Sequence, residues 1–249
     1  MRKLQSKSIT GCACTGARAP IVLYVLIACE ESQAECMAFR DLGHEAYSCD
    51  LQRCRRTGNP AWHIHGDCTP FLDGLTTFTT QDGVQHSVPG WDLIICHPPC
   101  TYLCKVSSVQ MVRWIDGEAW LNESRLQKMH KAAEFFHHCL NALATFVAVE
   151  NPQPMARAGL PTPSFYACPS WFGVKYTKKT LYWVHNLPPL VADIDYPNPK
   201  EFVRSSRGKY RSRTFPEMAQ AIARQWSSFI VSEYQELGYD ETRFTIESE

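Results

Sequence analysis

The chain has 249 residues, 45% of them hydrophobic and 20% charged, with 25 basic against 25 acidic side chains. That balance excludes a collagen-like or low-complexity chain, and no apolar run reaches the ~18 residues of a membrane span. Zero net charge excludes nucleic-acid binding by bulk electrostatics but not by a local basic face: residues 175–213 carry nine basic and three acidic side chains, and residues 233–249 six acidic and one basic.

Residues 1–19 lack periodicity and are expected to form an extension. Arg2, Lys3 and Lys7 precede the apolar run 21–28, and Leu26-Ile-Ala-Cys29 resembles a lipoprotein cleavage site. A buried first strand over Ile21–Ala28 accounts better for the run, which starts late and ends on Glu30-Glu31. Helical spacing follows over Ser32–Leu42 and stops at Gly43, then a short strand over Glu45–Cys49 ending on Asp50. Trp91–Cys96 reads as a third strand, stopped by His97-Pro98-Pro99. The stripe Leu126, Met129, Ala133, Phe136, Leu140, Leu143 predicts a helix from about Ser124 to Ala144. Thr145–Val149 is a fourth strand, stopped by Asn151-Pro152, and Thr180–Val184 a fifth. Apolar strands alternating with helices predict an α/β fold, a doubly wound, mostly parallel sheet covered on both faces. A catalytic domain over residues 20–232 would precede an acidic tail over 233–249. The Pro-rich stretches 152–170 and 186–200 read as long loops or a small lobe.

Polar and reactive residues fall just after the strands, where ligands bind in such sheets. Ala28-Cys29-Glu30-Glu31-Ser32 follows the first strand and Asp50-Leu51 the second. His65-Gly66-Asp67-Cys68 lies beyond, His97-Pro98-Pro99-Cys100 follows the third strand, and Glu150-Asn151-Pro152 the fourth. An acid ending the second strand suits the two hydroxyls of a ribose, and Asp67 suits an adenine amino group. Neither Gly-x-Gly-x-x-Gly nor Gly-x-x-x-x-Gly-Lys is present, so a nucleoside without a polyphosphate fits best. Twelve cysteines in a reducing compartment would be packed or reactive thiols. Neither Cys96, His97, Cys100 and Cys104 nor Cys49, Cys54, His63, His65 and Cys68 has the paired spacing of structural zinc, and no metal is assigned.

Over about residues 21–226 the pattern resembles the S-adenosylmethionine-dependent DNA cytosine carbon-5 methyltransferases, particularly short phage and prophage members. Pro99-Cys100 and Glu150-Asn151, each after a strand, carry the resemblance, with Arg211-Ser-Arg213 as a counterpart of a Gln-x-Arg-x-Arg element and Pro216–Trp226 similar to a C-terminal helix beside the cofactor. It implies the class I methyltransferase (Rossmann-like) type of sheet, with Cys100, Glu150 and Arg213 catalytic. By position, Ala28, Cys29, Glu30, Glu31, Asp50, Leu51, Asp67, Cys68 and Pro98 would hold S-adenosyl-L-methionine, although the family's Phe-x-Gly-x-Gly is replaced by Ala28-Cys29-Glu30-Glu31-Ser32. Tyr102, Asn151, Arg204, Arg207, Lys209 and Arg211 would contact DNA. The protein is expected to be a cytoplasmic monomer with no membrane partner.

The implied chemistry needs these residue types. A thiolate, from Cys100, adds to carbon 6 of cytosine and makes carbon 5 nucleophilic; a carboxyl group, Glu150, hydrogen-bonds or protonates ring nitrogen 3. The base must first leave the stack. Trp114 and Trp120 either wedge a flipped base or fill a lobe core. Rival readings are an exocyclic-amino DNA methyltransferase, because His97-Pro98-Pro99-Cys100 is one step from that family's loop, and a non-catalytic nucleic-acid or partner-binding protein on a degenerate core. A pyrimidine-nucleotide modifier is a further one.

Overall fold

The computed structural model describes residues 20–175, 178–194 and 214–239. The chain runs β1 (Tyr24–Ala28), α1 (Ala34–Asp41), β2 (Glu45–Asp50), β3 (His63–His65), α2 (Thr69–Leu72), β4 (Thr77–Thr79), β5 (Gln85–Ser87), β6 (Leu93–Cys96), β7 (Val112–Ile115), β8 (Glu118–Leu121), α3 (Glu123–Leu140), β9 (Phe146–Asn151), β10 (Phe165–Ala167), β11 (Thr180–His185) and α4 (Pro216–Glu236). Seven strands form one sheet in the order β10-β11-β9-β6-β1-β2-β3. From β9 to β3 every pairing is parallel; β11 is antiparallel to both β9 and β10. The fold is therefore α/β with a mostly parallel central sheet, as expected. Two hairpins, β4–β5 and β7–β8, stand outside it.

The continuous apolar runs follow from burial of both faces. Along β1, Leu26 and Ala28 face one core with Ile94, Val147 and Val149, and this core is covered by α2 and α3. Val25 and Ile27 face the other with Leu93, Ile95 and Ala148, covered by α1 and α4. Leu26, Ile27, Ile94 and Ile95 are fully buried, each contributing about 1.5–3 kcal/mol. The lipoprotein-like run is thus a central strand. Among the described residues no cysteine is bridged, and no helix is long and apolar enough to cross a membrane.

Helix ends obey local chemistry. Gly43, at φ 85°, closes α1 with paired bonds from its own N–H to the Arg40 carbonyl and from the His44 N–H to the Phe39 carbonyl. The α3 stripe buries Met129, Phe136 and Cys139. The helix stops at Leu140, short of the expected Ala144, because Asn141 caps it, and Leu143 is exposed. The Pro216 helix runs to Glu236, past the expected boundary between domain and tail at 232, and its Tyr234 hydroxyl donates to the buried Asp92 at 2.8 Å.

Candidate active site

The carboxyl ends of β2, β1, β6 and β9 lie side by side along one edge of the sheet, and the strand order reverses at β1/β6, where a crevice for ligands is expected in open α/β sheets. Cys100 opens a 3-10 turn, Cys100–Tyr102, immediately after Pro98-Pro99. Asn151 is 1% exposed, and its Nδ2 donates to the Pro98 carbonyl at 3.0 Å. Asn151 thus ties the Cys100 loop to the end of β9, which also carries Glu150.

Between these strand ends lies a buried charge cluster. His97 donates through Nδ1 to Glu150 Oε2 at 3.3 Å and through Nε2 to Glu35 Oε2 at 3.2 Å. Burial alone would lower the His97 pKa, but the two carboxylates outweigh it and hold it well above the ordinary value. Burial would likewise raise Glu150, but Lys178 and His97 outweigh it and hold that carboxyl below its usual range. The ring lies between two carboxyl groups, and their charge favours its protonated form. The remaining oxygens, Glu35 Oε1 and Glu150 Oε1, are buried without a hydrogen-bond partner among the described residues, as is Asn151 Oδ1. Among the described residues no group of three or more His, Cys, Asp or Glu side chains is placed to hold a metal ion.

Cys100 is half-buried. Burial first, then Cys104 and Glu150, push its thiol up to about 11, while Lys178 pulls it down. At neutral pH it is a thiol; a nucleophile here must lose its proton as substrate binds.

At the β1 end the expected cofactor residues divide. Cys29 adopts φ 63°, a left-handed turn that a glycine would normally make. Its sulfur lies 3.9 Å from that of the buried Cys68. Glu30 points inward and caps α1: its oxygens accept from the amides of Glu35 at 2.8 Å and Cys36 at 3.3 Å. Burial and the Glu35 carboxylate push Glu30 up to about 8. It is 5% exposed, and the bonds it makes here are to the start of the helix. Glu31 pairs with Arg55, and Gln33, fully buried, exchanges two bonds with Asn59, accepting from its N–H at 2.6 Å and donating to its carbonyl at 3.1 Å. These contacts fold the 52–59 loop over the start of α1. Ala28 and Pro98 are buried. Asp50 is partly exposed beside Leu51, which is 75% exposed. Asp67 is exposed, with Oδ1 accepting from the Thr69 amide and hydroxyl at 3.0 and 2.8 Å.

Tyr102 is half-buried beneath the Arg125 guanidinium. Arg204, Arg207, Lys209, Arg211 and Arg213 lie outside the described residues. Trp114 and Trp120 are exposed on the β7–β8 hairpin, so neither fills a core. The sequence reading missed Glu35, whose place in the first turn of α1 suggests only a helix-end charge, and gave His97 no part in the reaction, only a place in the loop after the third strand and in a rejected metal set. A separate cleft of about 460 Å³ opens at the other end of β9, beside Phe146, Tyr234 and Tyr239, away from this chemistry.

Compared with models of known protein families and with curated proteins, the chain matches none.

Proposed function

We propose that the chain transfers a methyl group from S-adenosylmethionine to carbon 5 of a cytosine extruded from a DNA strand. The observation that carries this reading is the juxtaposition of Cys100 and Glu150 at the ends of adjacent parallel strands, with Asn151 fastening one loop to the other. The mostly parallel sheet is compatible with the class I methyltransferase type.

The crevice suits the cofactor in part. Asp50 offers a carboxylate to ribose hydroxyls and Leu51 an exposed aliphatic surface to a purine face. Cys29 keeps the tight turn while its sulfur sits against Cys68. When bound, the cofactor supplies an electrophilic methyl group.

The protein's own residues handle the base. Cys100 loses its proton and its sulfur adds to ring carbon 6. Ring nitrogen 3 takes up a proton as the ring accepts electrons: Glu150 touches the base, the protonated His97 ring passes its Nδ1 proton to Glu150, Glu150 hands it to nitrogen 3, and His97 is left neutral until nitrogen 3 returns the proton by the same route. After the methyl group is in place a base removes the carbon-5 proton and the carbon–sulfur bond breaks, restoring the thiolate. Methylation of an exocyclic amino group is the second reading. It is favoured by the high Cys100 pKa, since that chemistry needs no thiolate, and an ionised Glu150 can accept from an amino group.

Mass spectrometry of nucleosides from methylation-deficient cells expressing the chain, beside Cys100→Ala, tests the proposal. 5-Methylcytosine that disappears in the variant is the expected result. An N-methyl base that survives the substitution selects the amino-group reading, and no modified base overturns both.

A further inference from the structure

A second polar cleft, of about 170 Å³, lies beside the Cys100 turn, lined by Tyr102, Gln110, Arg113, Asn122, Ser124, Arg125 and Lys128. Three of these residues are cationic and none is acidic. Arg125 is preset: its guanidinium lies 5.0 Å from the centre of the Tyr102 ring, and its Nη2 donates to the Thr101 carbonyl at 2.9 Å. Its Nε is buried without an acceptor among the described residues. The Lys128 ammonium approaches the same ring at 5.7 Å. Held cations converging on a cleft are the chemistry of a bound phosphate.

The hairpin above the cleft adds a stacking surface. Asp116 and Gly117 both have positive φ, the two-residue turn that matches strand twist. In the β7–β8 register Arg113 is opposite Trp120, and Trp114 opposite Ala119. Directly opposed residues share a face and neighbours alternate. Arg113, which lines the cleft, therefore shares its face with Trp120, whereas Trp114 belongs to the other face. Glu118 shares the Arg113 face one step nearer the tip. Trp120 is 54% exposed, an indole presented on the same face as Arg113.

We propose that this cleft binds a phosphate of an unpaired nucleic-acid strand, with the attached base stacked on Trp120. Tyr102 belongs to the same turn as Cys100, so the strand held there runs past the reacting base. The assignment rests on the reading that the chain acts on nucleic acid, and it identifies the strand-gripping element as the hairpin and the start of α3. Opposite charge at the cleft and an exposed aromatic beside it fit a strand whose bases are open, since a paired duplex has no free base face to stack.

Fluorescence anisotropy of the full chain with a labelled single-stranded oligodeoxynucleotide tests it, over a series of salt concentrations. Trp120→Ala is expected to weaken binding about tenfold, the size of one lost base–aromatic stack. R113A/K128A is expected to lower the slope of log K against log salt by about 0.7, one phosphate on a single strand. Trp114→Ala, on the opposite face, leaves binding as it was. Equal affinity of Trp120→Ala or R113A/K128A and the unmodified chain overturns the proposal. So does equal weakening by Trp114→Ala and Trp120→Ala, which would mark a general apolar surface, and so does competition by inorganic phosphate or dCMP as effective as that by the strand. Binding needs neither cofactor nor turnover, so these outcomes are independent of whether 5-methylcytosine is made. Conversely, undiminished 5-methylcytosine from the variants would overturn the cleft assignment alone.

Discussion

His97→Ala removes the one group that both buried carboxylates of the crevice use. Glu35 is fully buried and Glu150 nearly so, and they accept from the ring at 3.2 and 3.3 Å. Attraction across 3.2 Å is large at an effective dielectric of 20, but desolvation of the three groups cancels much of it, so the intact cluster adds little net stability. Deletion is another matter. It leaves the buried Glu35 carboxylate without its counter-charge and Glu150 with Lys178 alone, for which a loss of about 3–5 kcal/mol is expected, a large fraction of the roughly 5–15 kcal/mol that holds a domain folded. The diagnostic is a double-mutant cycle with Glu35→Gln. In the unmodified chain that substitution removes a charge-assisted bond and costs about 1.5–3 kcal/mol. In the His97→Ala background it removes a stranded charge and stabilises. Urea unfolding followed by tryptophan fluorescence measures each corner of the cycle. The measurement belongs near pH 6.5, because a raised histidine pKa gives a contribution that is complete below the unfolded value and lost as pH rises through the folded one. If Glu35→Gln acts with the same sign in both backgrounds, His97 is not a buried cation and the proton store assigned to Glu150 and His97 fails with it.

Three further outcomes are expected. Glu30 has its folded pKa raised from 4.5 to about 8, so the protein loses stability as pH rises through that window. Glu30→Gln should abolish this slope, changing the stability difference between the two proteins by roughly 4 kcal/mol from pH 5 to 8 at ~1.36 kcal/mol per unit; urea unfolding at both pH values checks it. Alkylation of Cys100 by iodoacetamide, followed by peptide mass spectrometry, should be slow at neutral pH and rise about tenfold per pH unit toward pH 10, and Lys178→Met should slow it further, because Lys178 lowers the thiol pKa; the rate of an ordinary exposed cysteine would contradict the burial. Gly58→Ala places a methyl 2.3 Å from Gln33 Oε1 and 3.2 Å from the Arg55 carbonyl. It should break the Gln33–Asn59 exchange at a cost of about 1–3 kcal/mol, seen as a lower urea midpoint.

The central strands were legible because each is a continuous apolar run bounded by Pro, Gly or acid, the pattern that two covered faces impose. β3 was not, since His63-Ile64-His65 is too short and polar to register. Its His63 is buried only because its ring bonds Ser48 Oγ at 2.8 Å and the Gln52 carbonyl at 2.9 Å, contacts that no spacing encodes. The β7–β8 hairpin carried its signal in Asp116-Gly117, but every residue of both strands is exposed, so the alternation that usually accompanies such a turn is missing. For the crevice, position after a strand was enough to assemble Cys100, Glu150, Asp50 and Leu51. The orientation of Glu30 was not readable, because it reaches the Glu35 amide five residues on through a turn that bends back at Gln33, whose φ of 60° no sequence pattern announces. Nor does any sequence periodicity link Glu35, His97 and Glu150; the sheet order brings them together.

The placement of β11 has a consequence for synthesis. β9 is apolar from Phe146 to Val149 and is flanked by β6 on one side, while its other edge is covered, among the described residues, by β11, which begins at Thr180, 29 positions after β9 ends at Asn151. A chain growing from its N-terminus must therefore carry an open, hydrophobic β9 edge until β11 emerges and slots in antiparallel, and β10, which pairs with β11 alone, has no sheet to join before then. During that interval the unpaired backbone of β9 is a template for a neighbouring nascent chain. Slow translation between residues 151 and 185 would favour aggregation.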